Sequence, residues 1–402
     1  MIMLDDQPPK QLAIELEENV CPAKIKVIGV GGGGGNAINR MIRSGIKGVE
    51  FIAVNTDLQD LKKNLAPTKI QIGAKLTQGL GTGGDPTLGR EAAMEDMDTI
   101  MEHIEDADMV FLTSGMGGGT GTGALPQIAM QCRQLDRLLT VAVVTLPFSF
   151  ELKLRARRAQ DGLGILSENV DTLINIPNDR LLELTDRNTL LSEAFAMADD
   201  VLRHAVQGIS DLIVHTGTIN LDFNDVRNIL KGQGKAIMGI GEAVGDDRAV
   251  VAAKSAISSP LLTSTTIEGA KSILINFSGR DLKLMECSEA CKLIEEMAHE
   301  DAEVMWGVVE DETLAESIKI TVFATGFDGS AMRIKPKPVA QVKPGPIFAP
   351  VERPAEDRAV VGGNFQFASV AHKEEVEEET VAQDELDLEK PTWMRKGKKK
   401  LF

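Results

Sequence analysis

Residues 115–123 hold six glycines within nine residues, and this composition suits a loop that binds phosphate. An apolar segment at residues 109–113 precedes the run and predicts a buried strand, and residues 124–129 predict the first turns of a helix. Glycine lets a backbone approach a ligand closely, and the free amides at a helix N-terminus favour an anion. Because flexible linkers rarely lie between a buried strand and an apolar helix, we interpret the run as a phosphate-binding loop.

A second glycine run occurs in the same setting. Residues 24–30 predict a strand, Gly31 to Gly35 follow it, and a helix is predicted from Asn36 onward. This run contains Gly-x-Gly-x-x-Gly, and the next predicted strand ends at Asp57, where a dinucleotide-binding fold has its ribose carboxylate. Taken alone, the unit therefore favours an NAD-binding protein.

The number of glycine loops favours a triphosphate instead. Residues 79–86 form a third glycine-rich loop, and loops after parallel strands meet at one edge of a sheet. One such loop is enough for a dinucleotide, whereas several loops can surround a triphosphate with backbone amides. The chain has no Gly-x-x-x-x-Gly-Lys-Ser/Thr motif, so no P-loop lysine is available.

Two pairs of charged residues have spacings that permit chemistry but do not require it. Glu151 and Arg155 are four residues apart in a predicted helical segment and share one face, as a surface ion pair would. Asp222 and Asp225 are three apart at a predicted helix start, where capping of the helix also accounts for them. Spacing alone leaves both alternatives open.

The predicted elements indicate an α/β fold with two parts. Strands alternate with helices up to a long amphipathic helix at about residues 189–215, whose periodicity places Phe195 in the core. We predict a Rossmann-like domain with a parallel sheet at residues 23–218, and a second, smaller α/β domain at residues 219–327. Residues 1–22 are predicted to be a disordered lead-in.

Composition limits the classes of function. A net charge of −17 argues against non-specific binding to nucleic acid. The four cysteines are scattered, which indicates a reducing compartment and gives no metal site. No run of 18 apolar residues is present, and the N-terminus has no apolar signal region, so neither a membrane span nor export is predicted.

The C-terminal residues have a different composition. Prolines and acidic residues predict a disordered linker at residues 328–385. Apolar residues return at residues 386–402, where Leu386, Leu388, Trp393 and Met394 lie among polar neighbours. An apolar cluster at the end of such a tail predicts a docking peptide.

Four motifs, in order along the chain, resemble the tubulin and FtsZ family of GTPases. The string Gly-Gly-Gly-Thr-Gly-Thr-Gly at residues 117–123 resembles the phosphate loop of that family, and residues 148–155 resemble its Phe-x-Phe-Glu-x-x-x-Arg element. In the second motif, Leu152 and Leu154 stand where a glycine and a lysine are usual. Residues 220–225 resemble the Asn-x-Asp-x-x-Asp synergy loop, and residues 391–395 resemble the C-terminal peptide.

The resemblance implies a role for each site residue. It implies that GTP or GDP, with Mg²⁺ bridging the phosphate oxygens, is bound by these phosphate-loop residues: Gly32, Gly33, Gly34, Gly35, Asn36, Gly119, Thr120, Gly121 and Thr122. Glu151 and Arg155 would contact ribose and phosphate, Phe195 would stack on guanine, and Asp199 would accept hydrogen bonds from its N1 and N2. The residues implied in hydrolysis on the neighbouring subunit are Asn220, Asp222 and Asp225.

The resemblance also implies a biological role. It implies a cytoplasmic GTPase that polymerises head to tail into the division ring at mid-cell and binds membrane-tethering division proteins such as FtsA through residues 386–402. Two alternatives remain from the sequence. One is a related filament protein for plasmid segregation or cell shape, and the other is an NAD-binding oxidoreductase.

Overall fold

The structure is a computed structural model, and it describes residues 23–186, 188–214, 219–261 and 267–327. The predicted lead-in at residues 1–22, the predicted linker at residues 328–385 and the predicted docking peptide at residues 386–402 lie outside the described residues.

Ten strands of the described residues form one sheet, in the order β3-β2-β1-β4-β5-β6-β7-β10-β8-β9. The strands are β1 Ile25–Val30, β2 Val49–Asn55, β3 Thr68–Gln71, β4 Met109–Gly115, β5 Leu139–Leu146, β6 Thr172–Pro177, β7 Gly234–Ala243, β8 Ser272–Gly279, β9 Glu303–Glu310 and β10 Ile318–Thr325. From β3 to β7 every neighbouring pair is parallel. Strand β10 is antiparallel to both β7 and β8, and β8 and β9 are parallel.

Helices connect these strands. They are α1 Gly31–Arg43, α2 Leu58–Lys63, α3 Ala74–Thr77, α4 Pro86–Glu95, α5 Met97–Glu102, α6 Thr120–Cys132, α7 Lys153–Ser167, α8 Leu191–Val214, α9 Phe223–Leu230, α10 Arg248–Ile257 and α11 Leu284–Glu295. Short 3₁₀ turns lie at Ser149–Glu151, Asn178–Leu184 and Glu312–Leu314.

Both faces of the parallel part of the sheet are covered, as expected for parallel strands with helical crossovers. Successive side chains of a strand point to opposite faces. Accordingly Ile25 and Val27 of β1 belong to one buried cluster with residues of α1 and α8, and Ile28 and Val30 belong to another with residues of α4 and α6. A third cluster fills the part of the structure around β8, β10, α10 and α11. The predicted mostly parallel α/β sheet is confirmed.

The long predicted helix is confirmed as α8, with bounds close to the expected ones. One stripe of its side chains, including Val201, Leu202 and Ala205, is buried against the sheet. Phe195 differs from the prediction, because 39% of it is exposed rather than buried in the core. Among the residues that the structure describes, no helix is long and apolar enough to cross a membrane.

Candidate functional site

The two glycine runs meet where the strand order of the sheet reverses. Strands β1 and β4 are neighbours, and the chain leaves β1 toward β2 and leaves β4 toward β5, on the other side. In open α/β sheets a crevice forms outside the carboxyl ends of the strands at this point. Helix α1 begins directly after β1, and α6 begins five residues after β4. The N-termini of both helices therefore border the same crevice.

Glycine is required where the two runs touch. Gly31 has φ of +71°, and a Cβ there would lie 3.0 Å from the backbone nitrogen of Gly121. A Cβ on Gly33 would lie 2.9 Å from the backbone nitrogen of Gly115. Side chains at these positions would push the two runs apart, so the glycines let the backbone itself form the wall of the crevice.

The crevice holds a cavity of about 330 Å³. Among the predicted phosphate-binding residues, those that line it are Gly32, Gly33, Gly119, Thr120 and Gly121. The predicted third glycine loop contributes Gly81 to Gly84 to the same wall. The three glycine loops are thus brought together around one space, which favours a ligand with several phosphates.

Four predicted residues lie elsewhere. Gly34 is buried inside α1, where a Cβ would lie 2.5 Å from the carbonyl oxygen of Thr113. The carbonyl oxygen of Gly35 accepts a hydrogen bond from Asn64 Nδ2 (2.9 Å). Thr122 Oγ1 accepts one from the backbone nitrogen of Gly117 (2.7 Å), and so stabilises the loop rather than lining the cavity. Asn36 lines a second cavity instead.

Three polar side chains of the cavity wall were missed by sequence reasoning. Thr56 and Thr120 share a hydrogen bond between their Oγ1 atoms (2.7 Å), and Thr82 Oγ1 lies 3.4 Å from Thr120 Oγ1. Asp60 accepts a hydrogen bond from Asn55 Nδ2 (2.9 Å), and burial, with the nearby charge of Asp57, raises the pKa of its carboxyl. Their only sequence signal is a position after β2 or in the third loop.

Glu151 and Arg155 form the predicted ion pair, with 2.8 Å between Oε2 and Nη1. Glu151 Oε1 also accepts a hydrogen bond from the backbone nitrogen of Phe148 (2.9 Å), and Arg155 lines the cavity. The pair therefore borders the candidate site, and it is more than the surface ion pair that spacing alone allowed. Leu152 between them has φ of +74°, a conformation that suits glycine.

Asp199 and Asn36 line the second cavity, of about 930 Å³, with Arg40 and Arg203. Burial raises the pKa of Asp199 to about 7, although nearby Arg40 acts in the opposite direction. The neighbouring Asp200 has a lowered pKa instead. Burial disfavours its charged form too, but hydrogen bonds from Arg203 and Arg40 overcome that effect and lower the pKa to about 2. Only the ionised form of Asp199 can accept hydrogen bonds with both oxygens, so a ligand that presents N–H donors there would favour loss of its proton.

Three phenylalanine rings are in contact near the start of α8. The ring of Phe195 meets that of Phe148 edge to face at 5.4 Å between centroids, and Phe148 stacks on Phe150 at 4.9 Å. Phe148 is buried, whereas Phe195 and Phe150 are partly exposed. The exposed part of Phe195, one helical turn before Asp199, leaves its ring accessible to a ligand.

The three predicted hydrolytic residues lie apart from the glycine cavity. Asn220 and Asp222 are exposed, and Asp222 is the residue before α9. Its side chain makes no capping hydrogen bond to the helix, so the capping alternative accounts for its position but not for its carboxylate. None of Asn220, Asp222 and Asp225 is among the described residues that line the cavity.

Comparisons with known proteins agree with this geometry. Residues 24–186 match the model of the Tubulin/FtsZ family, GTPase domain, and residues 234–328 match that of the FtsZ family, C-terminal domain. A solved FtsZ dimer from M. jannaschii is 44% identical, with 76% of this chain and 88% of that chain covered and a TM-score of 0.73. A tryptophan-to-tyrosine mutant of FtsZ from M. jannaschii has the same identity and TM-score.

More distant structures share the fold. CetZ1 from Haloferax volcanii, a GDP-bound monomer, is 23% identical to this chain, with a TM-score of 0.67. The match covers 76% of this chain and 95% of the CetZ1 chain. The family models and the 44% identity do not agree with an NAD-binding oxidoreductase. The chain belongs to the tubulin/FtsZ family, with its GTPase domain followed by the FtsZ C-terminal domain.

Proposed function

We propose that this chain is a GTPase that assembles head to tail into the cytokinetic ring of a bacterium, with each active site completed by the next subunit. The observation that carries the proposal is the separation of two sets of residues. The glycine cavity can hold phosphates, and the residues that would act on water lie on another element outside it. A neighbouring copy is the simplest source of the missing groups.

Each copy would bind GTP in the two cavities described above. Backbone amides of Gly32, Gly33 and Gly121, with the Arg155 guanidinium, would hold the phosphates. Asn36 and Asp199 would hold guanine, with Phe195 stacked on its ring. A carboxylate favours guanine over adenine because guanine presents N–H donors at N1 and N2.

Hydrolysis would need a water molecule placed in line with the terminal phosphate. Asp222 and Asp225 of the neighbouring copy would position and polarise that water, as a positioned acid–base group does. Mg²⁺, when bound, would offset the charge of the phosphates. The wall formed by Asn55, Thr56 and Asp57 carries oxygen donors of the kind that a hard cation prefers, so the residues present fit the ion.

Two similar proteins whose structures are solved form assemblies, and this supports assembly of the present chain. The M. jannaschii FtsZ structure is a dimer, and CetZ2 from Haloferax volcanii was solved as a GTPγS-bound protofilament at 22% identity and a TM-score of 0.63. In the cell, we propose a cytoplasmic filament at mid-cell. Residues 386–402, which lie outside the described residues, would bind membrane-tethering division proteins such as FtsA.

The dependence of GTP hydrolysis on protein concentration tests the shared site. If two copies form each site, activity per molecule should rise with concentration until assembly is complete. Mixing in Asp222→Ala protein should lower the activity of the wild type more than dilution does, because each mutant copy inactivates the site that it completes. Activity strictly proportional to concentration, with no effect of mixing, would contradict the proposal.

A further inference from the structure

The cavity that would bind phosphates contains more acidic than basic side chains. Among the described residues that line it, Asp57 and Asp60 carry carboxylates, and Arg155 is the only cation. That cation is already paired with Glu151 at 2.8 Å. Backbone amides must therefore attract the phosphates against a local excess of negative charge.

Asp60 is the carboxylate whose position bears on the glycine loop. Its Oδ2 lies 3.5 Å from the position that a Cβ on Gly32 would take, so the carboxylate borders the run whose amides would hold phosphate. Asp60 is half-buried, where screening by water is weaker than at the surface. Asp57 differs, because its Oδ1 already accepts hydrogen bonds from the amides of Gln59 and Asp60.

We infer that Asp60 weakens the binding of metal-free GDP and GTP, and that a divalent cation bound with their phosphates offsets this weakening. The inference rests on the proposed nucleotide site. Two like charges that face each other across a small cavity repel strongly, and a cation between them removes most of that repulsion. The competing explanation is structural: Asp60 only holds Asn55 in place through the 2.9 Å hydrogen bond.

The substitution Asp60→Asn separates these explanations, because the amide keeps an oxygen that can accept from Asn55 Nδ2 and loses only the charge. Glu91→Gln is a matched control, since Glu91 is an exposed acid on α4 and the substitution changes the net charge equally. Dissociation constants for GDP and GTP are measured by isothermal titration calorimetry, once with EDTA and once with excess Mg²⁺. Thermal unfolding by circular dichroism confirms that each variant is folded.

In EDTA we expect Asp60→Asn to bind both nucleotides about tenfold more tightly than wild type, and Glu91→Gln to match wild type. In Mg²⁺ the gain should shrink to about threefold or less, because the cation already offsets the repulsion. Unchanged or weaker binding by Asp60→Asn in EDTA would overturn the inference and leave the nucleotide site standing. Wild-type protein that binds neither nucleotide would overturn the proposed function itself.

Discussion

The glycine cavity and the loop at residues 219–225 differ in how they are built. The cavity wall is mostly backbone and hydroxyl groups, and packed helices and strands fix it within one copy of the chain. In the loop, the proposed chemistry belongs to exposed side chains, and Ile219 pairs with Val308 through an isolated bridge. If the proposed function is correct, nucleotide binding and hydrolysis depend on separate residues, and mutation should separate the two activities.

The substitution Asp222→Ala is the strongest test of whether binding and hydrolysis depend on separate residues. Because the carboxylate would act only on the nucleotide of a neighbour, turnover should fall by roughly 10²–10⁴-fold while the affinity for GTP stays at the wild-type value. The measurements are phosphate release at saturating GTP and the dissociation constant by calorimetry.

Asn224→Ala is the matched control, since Asn224 is an exposed polar residue beside Asp222. It should hydrolyse GTP at close to the wild-type rate. If Asp222 instead served to cap α9, its removal would cost about 1 kcal/mol of unfolding free energy and leave turnover per folded molecule unchanged. Such a result would show that the loop does not take part in hydrolysis.

The next largest expected effect is a dependence of GTP affinity on pH, which comes from Asp199. Because burial raises its pKa to about 7, the free protein holds a proton on this carboxyl below that pH. Guanine donors require the ionised form, so binding must release the proton, and GTP affinity should fall by up to about tenfold for each pH unit below 7. Calorimetry between pH 5.5 and 8, at values chosen around the pKa of about 7, measures this slope.

Asp199→Ala should remove both the pH dependence and the preference for GTP over ATP, which we expect to be at least about tenfold in the wild type. Equal affinity of the wild type for both nucleotides would mean that the second cavity does not recognise guanine.

A smaller effect is expected at Leu152, the residue immediately before α7, which carries Arg155. Its φ of +74° strains a residue with a side chain by roughly 1–3 kcal/mol, and 75% of the residue is exposed, so little packing would be lost. Leu152→Gly should therefore raise the unfolding free energy by about 1 kcal/mol after the entropy cost of glycine. Urea denaturation measures the change.

Leu154→Gly is the control, because Leu154 is also exposed but lies inside α7, where glycine costs about 1 kcal/mol. The two substitutions should thus shift stability in opposite directions. A loss of stability in both would show that Leu152 makes contacts worth more than its backbone strain.

Deletion of residues 386–402 should have the smallest effect on the enzyme. Assembly and GTP hydrolysis should stay within about twofold of wild type, because a docking peptide adds nothing to the active site. Binding to membrane-tethering proteins should be lost, as measured by co-sedimentation with vesicles that carry such a protein. A truncated chain that no longer assembles would contradict the docking role.

The sequence predicted those features that depend on local signals. Apolar runs followed by glycine identified β1 and β4 and the loops after them, and apolar periodicity identified α8 to within two residues at its start. Strand β9 was missed, because its half-buried and buried residues follow each other in blocks and do not alternate.

The details of the site depended on tertiary structure. Glycine content alone does not tell which amides of a helical turn face a ligand. Gly34 packs against β1 and β4, and Gly35 accepts a hydrogen bond from Asn64. Thr56 and Thr82 were missed because a lone threonine after a strand or in a glycine-rich loop is common. Periodicity placed Phe195 in the core, whereas 39% of it is exposed and its ring meets that of Phe148.

Helix α8 carries Asp199 of the second cavity and leads toward the loop that contains Asp222, and this restricts how the chain can change in evolution. Its 24 residues span roughly 36 Å. Each inserted residue would lengthen it by about 1.5 Å and rotate everything beyond the insertion by about 100°. Substitutions on its outer surface should be tolerated. Insertions and deletions should not be tolerated, because they would change both the distance and the rotation between the two ends of the helix.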